Sequence, residues 1–320
     1  MAVYTEIGDD ELRRFTALYD IGAVLSCKGI AEGIENSNFL LTTEYGNFIL
    51  TLYEKRVARA DLPFFIALMD HLAHHGVACP TPVRARDGDA LRELCGRPAA
   101  IVTFLNGMSP RRIEPYHCAA VGAALAQLHC AGASFSMKRP NSLGMASWRR
   151  LYESCADRAD EVMPGLADEL DAELALFEKS WPTGLPAGVI HADLFPDNVF
   201  FRDRTLSGLI DFYFACTDSL AYDIAVCLNA WCFEPDVSFN VTKARLLVGQ
   251  YRTGRVLSEA EIAALPMLAR GSAMRFLLTR LYDWLNQTAG ALVRPKDPIE
   301  YLKKLRFHRG IDDPVLYGIG

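Results

Sequence analysis

VIHADLFPDNVFFRDRTLSGLIDF, residues Val189–Phe212, alternates short apolar runs with polar residues. The runs over 188–190, 199–201 and 206–210 are rich in β-branched and aromatic residues, which favours short strands. The loop between the first two strands carries Asp193 and Asn198, and Asp211 begins the loop after the third. Polar residues at the ends of neighbouring strands can converge on one point. This stretch therefore predicts a site built from carboxylate and amide oxygens.

Such a set of oxygens suits phosphoryl transfer. The reaction needs hard oxygen ligands for a divalent cation, and a carboxylate that orients the attacking hydroxyl and accepts its proton. Asp193 is predicted to be that base, and Asn198 and Asp211 are predicted to hold the metal. The competing interpretation is that these are ordinary polar loop residues. The presence of a suitable residue for each role, at the ends of predicted strands, favours the phosphoryl-transfer interpretation.

The spacing H-x-D-x-x-x-x-N from His191, followed by a strand and Asp-Phe, resembles the catalytic and metal-binding loops of the protein-kinase-like superfamily. HADLFPDN is similar to its aminoglycoside phosphotransferase branch rather than to H-R-D protein kinases. The resemblance implies a bilobal α+β fold with an antiparallel-sheet N-lobe (residues 1–105) and a mainly helical C-lobe (residues 106–320). It also implies ATP and Mg²⁺ as cofactors.

Composition excludes several classes of protein. With 320 residues, 51% hydrophobic and 22% charged, the chain is typical of a globular protein large enough for two lobes. A net charge of -6 without a long basic run argues against nucleic acid or an anionic membrane as partner. Nine cysteines without a C-x-x-C pair indicate a reducing compartment. We therefore expect a cytoplasmic protein without a signal peptide or membrane span.

The N-terminal part combines both periodicities. The predicted elements are a helix over 9–19, strands over 24–27, 38–42 and 47–53, a helix over 61–76 and a strand over 99–105. The glycine-containing loop over 28–37 can bring backbone N–H groups close to a triphosphate, although many hairpin loops share this composition. With the resemblance, nucleotide contacts are expected at Gly29, Gly33 and Ser37 in this loop, and at the backbone of Phe104, Leu105 and Asn106.

The chain departs from the family in the strand over 47–53. The family places a Lys or Arg there that contacts the α- and β-phosphates, and the matching position is Thr51. The helix that follows carries no evident acidic partner for such a lysine. The candidates for a replacement cation are Lys28, Lys55 and Arg56, and the alternative is that the metal and the loop amides carry more of the phosphate charge.

The C-terminal part is predicted to be mainly helical. Helices are expected over 115–131, 147–162, 167–179, 222–233, 241–252 and 259–286, with Pro266 dividing the last into two. Only a short segment separates Asp211 from the helix near Asp223, which leaves no room for a loop that positions a peptide. A small-molecule substrate follows. Asp223 matches an Asp that braces the catalytic loop in many relatives.

One face of the last predicted helix combines charged and polar residues at helical spacing, namely Arg275, Thr279, Tyr282 and Asp283. The ordinary interpretation is an ion pair within or between helices. The functional interpretation is that Arg275 binds a substrate carboxylate through its planar guanidinium, while an acid binds an ammonium group. This face would suit a hydroxylated amino acid.

Four segments, FILTLYEK, HADLFPDNVFF, IDFYFACTD and MRFLLTRLYDW, together resemble homoserine kinases of the aminoglycoside phosphotransferase-like type. The resemblance covers nearly the whole chain and implies phosphorylation of the L-homoserine hydroxyl in threonine biosynthesis. The residues expected to contact the substrate are His191, Asp197, Tyr213, Arg275 and Asp283. The alternatives are a kinase of choline, ethanolamine, an amino sugar or another hydroxy-amino acid, and a non-catalytic nucleotide-binding protein.

Overall fold

An antiparallel sheet forms the N-terminal part of the chain, and most of the rest is helical. The computed structural model describes residues 5–30, 36–54, 57–287 and 295–319. Within these residues the strands are β1 (Val24–Gly29), β2 (Asn36–Thr43), β3 (Gly46–Tyr53), β4 (Pro82–Val83), β5 (Leu91–Leu94), β6 (Arg97–Thr103), β7 (Ala187–Ile190), β8 (Val199–Arg202), β9 (Thr205–Leu209) and β10 (Cys216–Ser219). The helices are α1 (Asp9–Thr16), α2 (Leu62–His74), α3 (Pro115–Gly132), α4 (Met145–Glu153), α5 (Leu166–Ser180), α6 (Leu220–Trp231), α7 (Val241–Gly254), α8 (Glu259–Leu285) and α9 (Pro298–Arg309).

The N-terminal sheet has the strand order β1-β2-β3-β6-β4, and β5 pairs with the edge of β6. The predicted hairpin is confirmed: β2 and β3 pair in register from Asn36 opposite Tyr53 to Thr43 opposite Gly46. Thr43 stabilises the turn, since its hydroxyl donates to the Gly46 carbonyl and accepts the Tyr45 N–H, both at 3.1 Å. The alternation along β2 and β3 gives this sheet two apolar faces.

Each face of the sheet packs against a different layer. On one side, Leu12 and Phe15 of α1 pack on Leu41 and Leu50, forming a small core of their own. On the other side, α2 and the C-terminal helices share one large core with Tyr53 and neighbouring strand residues. This second face is the one that the catalytic segments approach. The division at residues 105 and 106 stays a prediction, and β6 ends just before it at Thr103.

Two short antiparallel two-stranded sheets contain the strands of the stretch Val189–Phe212. β7 pairs with β10, and β8 pairs with β9. The helices pack around them, and α3 and α7 share the most extensive contact. A side chain at Gly122 of α3 would collide with the Leu247 carbonyl of α7, so this contact requires glycine. The close contact between α3 and α7 therefore helps to form the helical layer against which these strands pack.

Two predictions about helices were wrong. The segment over 147–162 is not one helix, because α4 ends at Glu153 and a separate 3-10 turn follows. Pro266 does not divide α8, which is continuous. A proline inside a helix costs about 3 kcal/mol because it removes a backbone hydrogen bond. Here Pro266 is buried, and the packing of α8 against α6 and α9 offsets this cost. Helix α9 was not predicted.

Among the residues that the structure describes, none of the helices combines the length and the apolar character that a membrane crossing needs.

Candidate active site

Asp193 lies in the loop between β7 and β8, and Asn198 lies at the other end of the same loop. The side-chain amide of Asn198 donates to the Asp193 backbone oxygen at 2.8 Å and to its carboxylate Oδ2 at 3.2 Å. Phe195 N–H closes the turn on the Asp193 oxygen at 2.8 Å, and Asn198 N–H bonds the Phe195 oxygen at 2.9 Å. The structure therefore places the predicted base and one predicted metal ligand side by side.

Asp211 reaches the same place from the end of β9. The Ile210 N–H donates to the Asn198 backbone oxygen at 3.0 Å, which ties the two loops together. Asp211 itself is exposed and has a left-handed backbone, with φ 63° and ψ 65°. Such a conformation costs a non-glycine residue of order 1 kcal/mol or more and clusters at functional sites. Because Asp211 directly follows Ile210, the bond between Ile210 and Asn198 brings the strained turn at Asp211 next to the loop that carries Asn198.

The oxygens available here fit Mg²⁺. Because Asn198 uses its Nδ2 group on Asp193, its amide oxygen is the atom able to bind a cation, and Asp211 adds an exposed carboxylate. Mg²⁺ commonly takes one or two protein carboxylates and completes its octahedral shell with phosphates and water. Within the described ranges, no cluster of three or more His, Cys, Asp or Glu side chains forms a metal cage. These residues thus suit a cation shared with nucleotide phosphates.

The surroundings of Asp193 raise its pKa to about 6. Burial is the largest cause, and the negative charge of Asp197 adds to it. The cations of Arg275 and Lys296 and the hydrogen bond from Asn198 act in the opposite direction. A carboxylate with this pKa is ionised at neutral pH and is still basic enough to accept a proton from a hydroxyl.

Asp223 braces the catalytic loop through backbone hydrogen bonds, as the family resemblance implied. Its carboxylate accepts the His191 N–H at 2.7 Å and the Ala192 N–H at 2.9 Å. It also lies 3.2 Å from Nε2 of His129, whose Nδ1 is 2.7 Å from the Tyr251 hydroxyl. Asp223 is fully buried at the start of α6. The bond to Ala192 matters because that residue has a left-handed backbone, with φ 62°, immediately before Asp193.

His191 is fully buried, which does not support its predicted contact with the substrate. Its Nε2 lies 3.0 Å from the Ile210 carbonyl, and its Nδ1 accepts the Asp193 N–H at 3.3 Å. Burial lowers the pKa of His191, so the ring is neutral and can donate at one nitrogen while accepting at the other. The side chain therefore joins the catalytic loop to the residue before Asp211.

Arg275 is also in the interior, with only 2% of its surface exposed, because α8 passes beneath the catalytic loop. One guanidinium N–H donates to the Ala192 carbonyl, and the group lies 4.4 Å from the Phe276 ring centre. This environment does not support the predicted contact with a substrate carboxylate. Neither of the sequence interpretations anticipated it, since the partner is a backbone carbonyl and not a carboxylate. Arg275 instead holds the strained Ala192 peptide.

Asp283 and Asp197 lie on different elements. Asp283 lies eight residues beyond Arg275 on α8, which is about 12 Å along the axis and too far for one small amino acid to touch both. Asp197 lies in the catalytic loop itself and is 64% exposed. Its Oδ2 is 3.7 Å from Nζ of Lys296.

Lys296 is the residue near the base that the sequence analysis missed. It lies directly before α9, whose start at the N-cap Asp297 and Pro298 has a recognisable sequence signal. The Asp297 carboxylate accepts the Ile299 N–H at 2.8 Å, as this signal predicts. Only the tertiary fold reveals that this helix start delivers a cation to the catalytic loop.

Tyr213 points from the Asp211 loop toward the N-terminal sheet. Its hydroxyl lies 3.2 Å from that of Tyr53, while its ring packs edge-on against Phe65 of α2 with the ring centres 5.7 Å apart. Burial raises the pKa of Tyr213 to about 12, so the hydroxyl remains protonated. This geometry connects the Asp211 loop to β3 and supports a linking role more than the predicted contact with the acceptor.

Replacing Tyr213 with phenylalanine should lower stability by about 1 kcal/mol, because the ring contacts remain while the hydroxyl bond is lost. We expect a decrease in Tm of a few degrees and an unchanged KM for the acceptor. Thermal unfolding and initial rates measure both quantities, with Tyr45→Phe on the exposed hairpin turn as control. An increased acceptor KM at unchanged Tm would instead restore the predicted substrate contact.

The residues predicted to contact the nucleotide occupy different environments. Gly29 is the exposed last residue of β1, opposite Phe39, and Gly33 lies outside the described residues. Ser37 is buried in β2 and not in a loop, and its hydroxyl donates to Glu54 at 2.8 Å. This burial does not support a direct phosphate contact. The predicted adenine-binding residues follow β6 and lie between the bonds Thr103 N–H to Thr81 and Met108 N–H to Phe201; they are Phe104, Leu105 and Asn106.

Thr51, the position of the absent lysine, is buried and donates to Asn38 Oδ1 at 2.8 Å. Lys28 is exposed on β1, whereas Lys55 and Arg56 lie outside the described residues. Helix α2 is fixed in another way. Asp61 at its N-cap accepts a hydrogen bond from Arg139 at 2.7 Å, and Arg139 also donates to the Ala215 carbonyl at 3.2 Å. Arg139 thus connects α2 to the segment after Asp211.

Comparison with known proteins agrees with this geometry. The APH family, described as "Phosphotransferase enzyme family", matches residues 26–259. Among solved structures, the amicoumacin kinase hAmiN in complex with AMP-PNP, Ca²⁺ and Ami is similar with a TM-score of 0.68 and 16% identity, covering 95% of this chain and 93% of that one. A choline kinase from Cryptosporidium parvum Iowa II has a TM-score of 0.68 and 13% identity, covering 94% of each chain. At these identities the shared property is the kinase-like fold.

Curated relatives are much more similar in sequence. A homoserine kinase of Bradyrhizobium diazoefficiens is 64% identical over 320 residues, covering 100% of this chain and 98% of the relative. A homoserine kinase of Xanthobacter autotrophicus is 64% identical over 319 residues, covering 100% and 99%. The chain therefore belongs to the phosphotransferase enzyme family and groups with its homoserine kinases.

Proposed function

We propose that the chain is an ATP-dependent kinase that converts L-homoserine to O-phospho-L-homoserine, a step of threonine biosynthesis. The observation that carries phosphoryl transfer is the hydrogen-bonded pair Asp193 and Asn198 beside the strained Asp211 turn. The acceptor is supported by full-length homoserine kinase relatives at 64% identity. The free cysteines, most of them buried, support a cytoplasmic location.

In the proposed reaction Asp193 accepts the proton of the homoserine hydroxyl, and the hydroxyl oxygen forms a bond to the γ-phosphorus of ATP. The bond between that phosphorus and the β,γ-bridging oxygen breaks, and ADP leaves. Asn198 orients the base through its hydrogen bond, and His191 and Asp223 fix the loop that carries it. A divalent cation, which Asn198 and Asp211 would hold, neutralises charge on the phosphates when bound.

An acceptor panel tests this proposal. ADP release would be measured with saturating ATP and Mg²⁺ against L-homoserine, L-serine, choline, ethanolamine and an aminoglycoside. We expect kcat/KM to be highest for L-homoserine, because a site that pairs polar substrate groups rejects analogues that lack them by large factors. A preference for another acceptor would contradict the proposed substrate but keep the kinase chemistry. No acceptor-dependent turnover would favour the non-catalytic alternative.

A further inference from the structure

Two opposite charges flank the base at the surface. Asp197 follows Asp193 by four residues in the same loop, and Lys296 arrives from the segment before α9. The Lys296 ammonium reaches this loop, since it lies 3.7 Å from the Asp197 carboxylate. Their side chains are 64% and 63% exposed, in contrast to Arg275. The surface beside the loop that holds Asp193 therefore carries one negative and one positive side chain.

The contact between these two side chains is too weak to contribute much to the stability of the fold. Nζ of Lys296 and Oδ2 of Asp197 are 3.7 Å apart, which is longer than a hydrogen bond. Exposed ion pairs of this kind contribute little to stability, because water competes for both groups. Each side chain thus retains most of its capacity to bind an ion of opposite charge.

An aromatic ring lies beside the two charges. Phe195, in the loop between Asp193 and Asp197, places its ring 5.6 Å from the Lys296 ammonium. The ring is itself held edge-on against Phe276 of α8 at 4.8 Å. A short aliphatic chain can lie against such a ring while its charged head lies beside the ion pair.

We propose that Lys296 and Asp197 together read the zwitterionic head of the amino-acid acceptor, with Lys296 binding the α-carboxylate and Asp197 binding the α-ammonium group. This proposal rests on the proposed function and names the specificity-determining pair of that site. The hydroxyl is then presented to Asp193, and the methylene groups lie on Phe195. The carboxylate-binding role moves from Arg275, which is buried under the loop, to the exposed cation beside it.

Two analogues of L-homoserine separate the two contacts. Removing the carboxylate gives 3-amino-1-propanol, and removing the ammonium group gives 4-hydroxybutyrate. Lys296→Met should lower kcat/KM for L-homoserine and 4-hydroxybutyrate by about 10- to 100-fold, the usual loss for a hydrogen bond between charged groups, and leave 3-amino-1-propanol unchanged. Asp197→Asn should show the reciprocal pattern, with losses for L-homoserine and 3-amino-1-propanol.

Conservative and surface controls accompany these variants. Lys296→Arg should retain most activity because the positive charge is kept. Arg13→Met removes a surface cation whose contact to Asp10 is also 3.7 Å, and it should leave all three rates unchanged. Equal losses for all three acceptors in Lys296→Met would overturn the proposal, because they would indicate a structural role. If the wild-type enzyme prefers a different acceptor to L-homoserine, the proposed function itself fails, which is a separate outcome.

Discussion

Replacing Asp193 with asparagine is expected to lower kcat by about three orders of magnitude, the usual range for loss of a general base being 10²- to 10⁴-fold. Asparagine keeps the shape of the side chain but cannot accept the proton of the acceptor hydroxyl. Nucleotide binding should persist, because the predicted adenine-binding residues over 104–106 and the predicted metal ligands remain. Rates from coupled ADP release and titration with a fluorescent nucleotide measure the two effects separately.

The same substitution should make the protein more stable at neutral pH. Burial raises the pKa of Asp193 from 3.8 to about 6, so the folded state resists ionisation of this group more than the unfolded state does. No penalty exists below pH 3.8, where both states are protonated; the penalty grows up to about pH 6 and is then constant. In the absence of nucleotide and metal, we expect a gain on the order of 2–3 kcal/mol at pH 7, which disappears near pH 4.

Asp203→Asn is the matched control. Asp203 has a left-handed backbone, with φ 56°, on the exposed turn between β8 and β9, and it takes no part in the proposed site. It should leave kcat and the pH dependence of unfolding unchanged. An Asp193→Asn enzyme with normal turnover would disprove the assignment of the base, whereas a variant that is inactive but not stabilised would contradict the account of its burial.

Replacing Asp223 with alanine should have the largest effect on stability, about 3–5 kcal/mol. The substitution leaves the buried N–H groups of His191 and Ala192 and the His129 side chain without their acceptor. Although burial alone would raise the pKa of Asp223, the His129 hydrogen bond and the other polar contacts hold it below its usual range. The carboxylate is therefore charged in the folded protein, and thermal or urea unfolding would measure its loss.

Asp223→Asn keeps the experiment interpretable if the alanine variant does not fold. One amide oxygen can still accept one N–H, but the NH₂ group faces donors, so the loop should shift. We expect kcat to fall by about 10²-fold, the effect of displacing a catalytic group by about 1 Å, while Asp193 itself is intact. Asp236→Asn is the control, because Asp236 accepts bonds from Ser238 at an exposed turn. Unchanged kcat in Asp223→Asn would contradict the bracing role.

The candidate site was predictable where its residues are close together in sequence. Asp193, Asn198 and Asp211 lie within one stretch, and local strand and loop preferences suffice to place them at the ends of β7, β8 and β9. The brace by Asp223 was predicted from the family resemblance, because Asp223 matches an Asp that holds the catalytic loop in many relatives. The role of each of these three residues in the chemistry stays a prediction until the variants are measured.

The structure does not support the predictions from the sequence where burial decides the outcome. Arg275 has the spacing of a surface ligand but lies under the Ala192 peptide, and His191 has the chemistry of a binding residue but is closed off by Ile210 and Phe212. A side chain at a given helical or strand spacing can face solvent, another helix or a loop. That choice depends on packing partners distant in the sequence, which periodicity does not contain.

The sequence by itself determined the α+β order of elements, the phosphoryl-transfer stretch and the short connection that excludes a peptide substrate. These features follow from local propensities and from the chemistry of neighbouring residues. Only the tertiary structure decided that α8 continues through Pro266, that Tyr213 reaches the sheet, and that Lys296 lies beside Asp197. Lys296 is about a hundred residues from the base in the chain, and its position depends on the packing of α9 against α8.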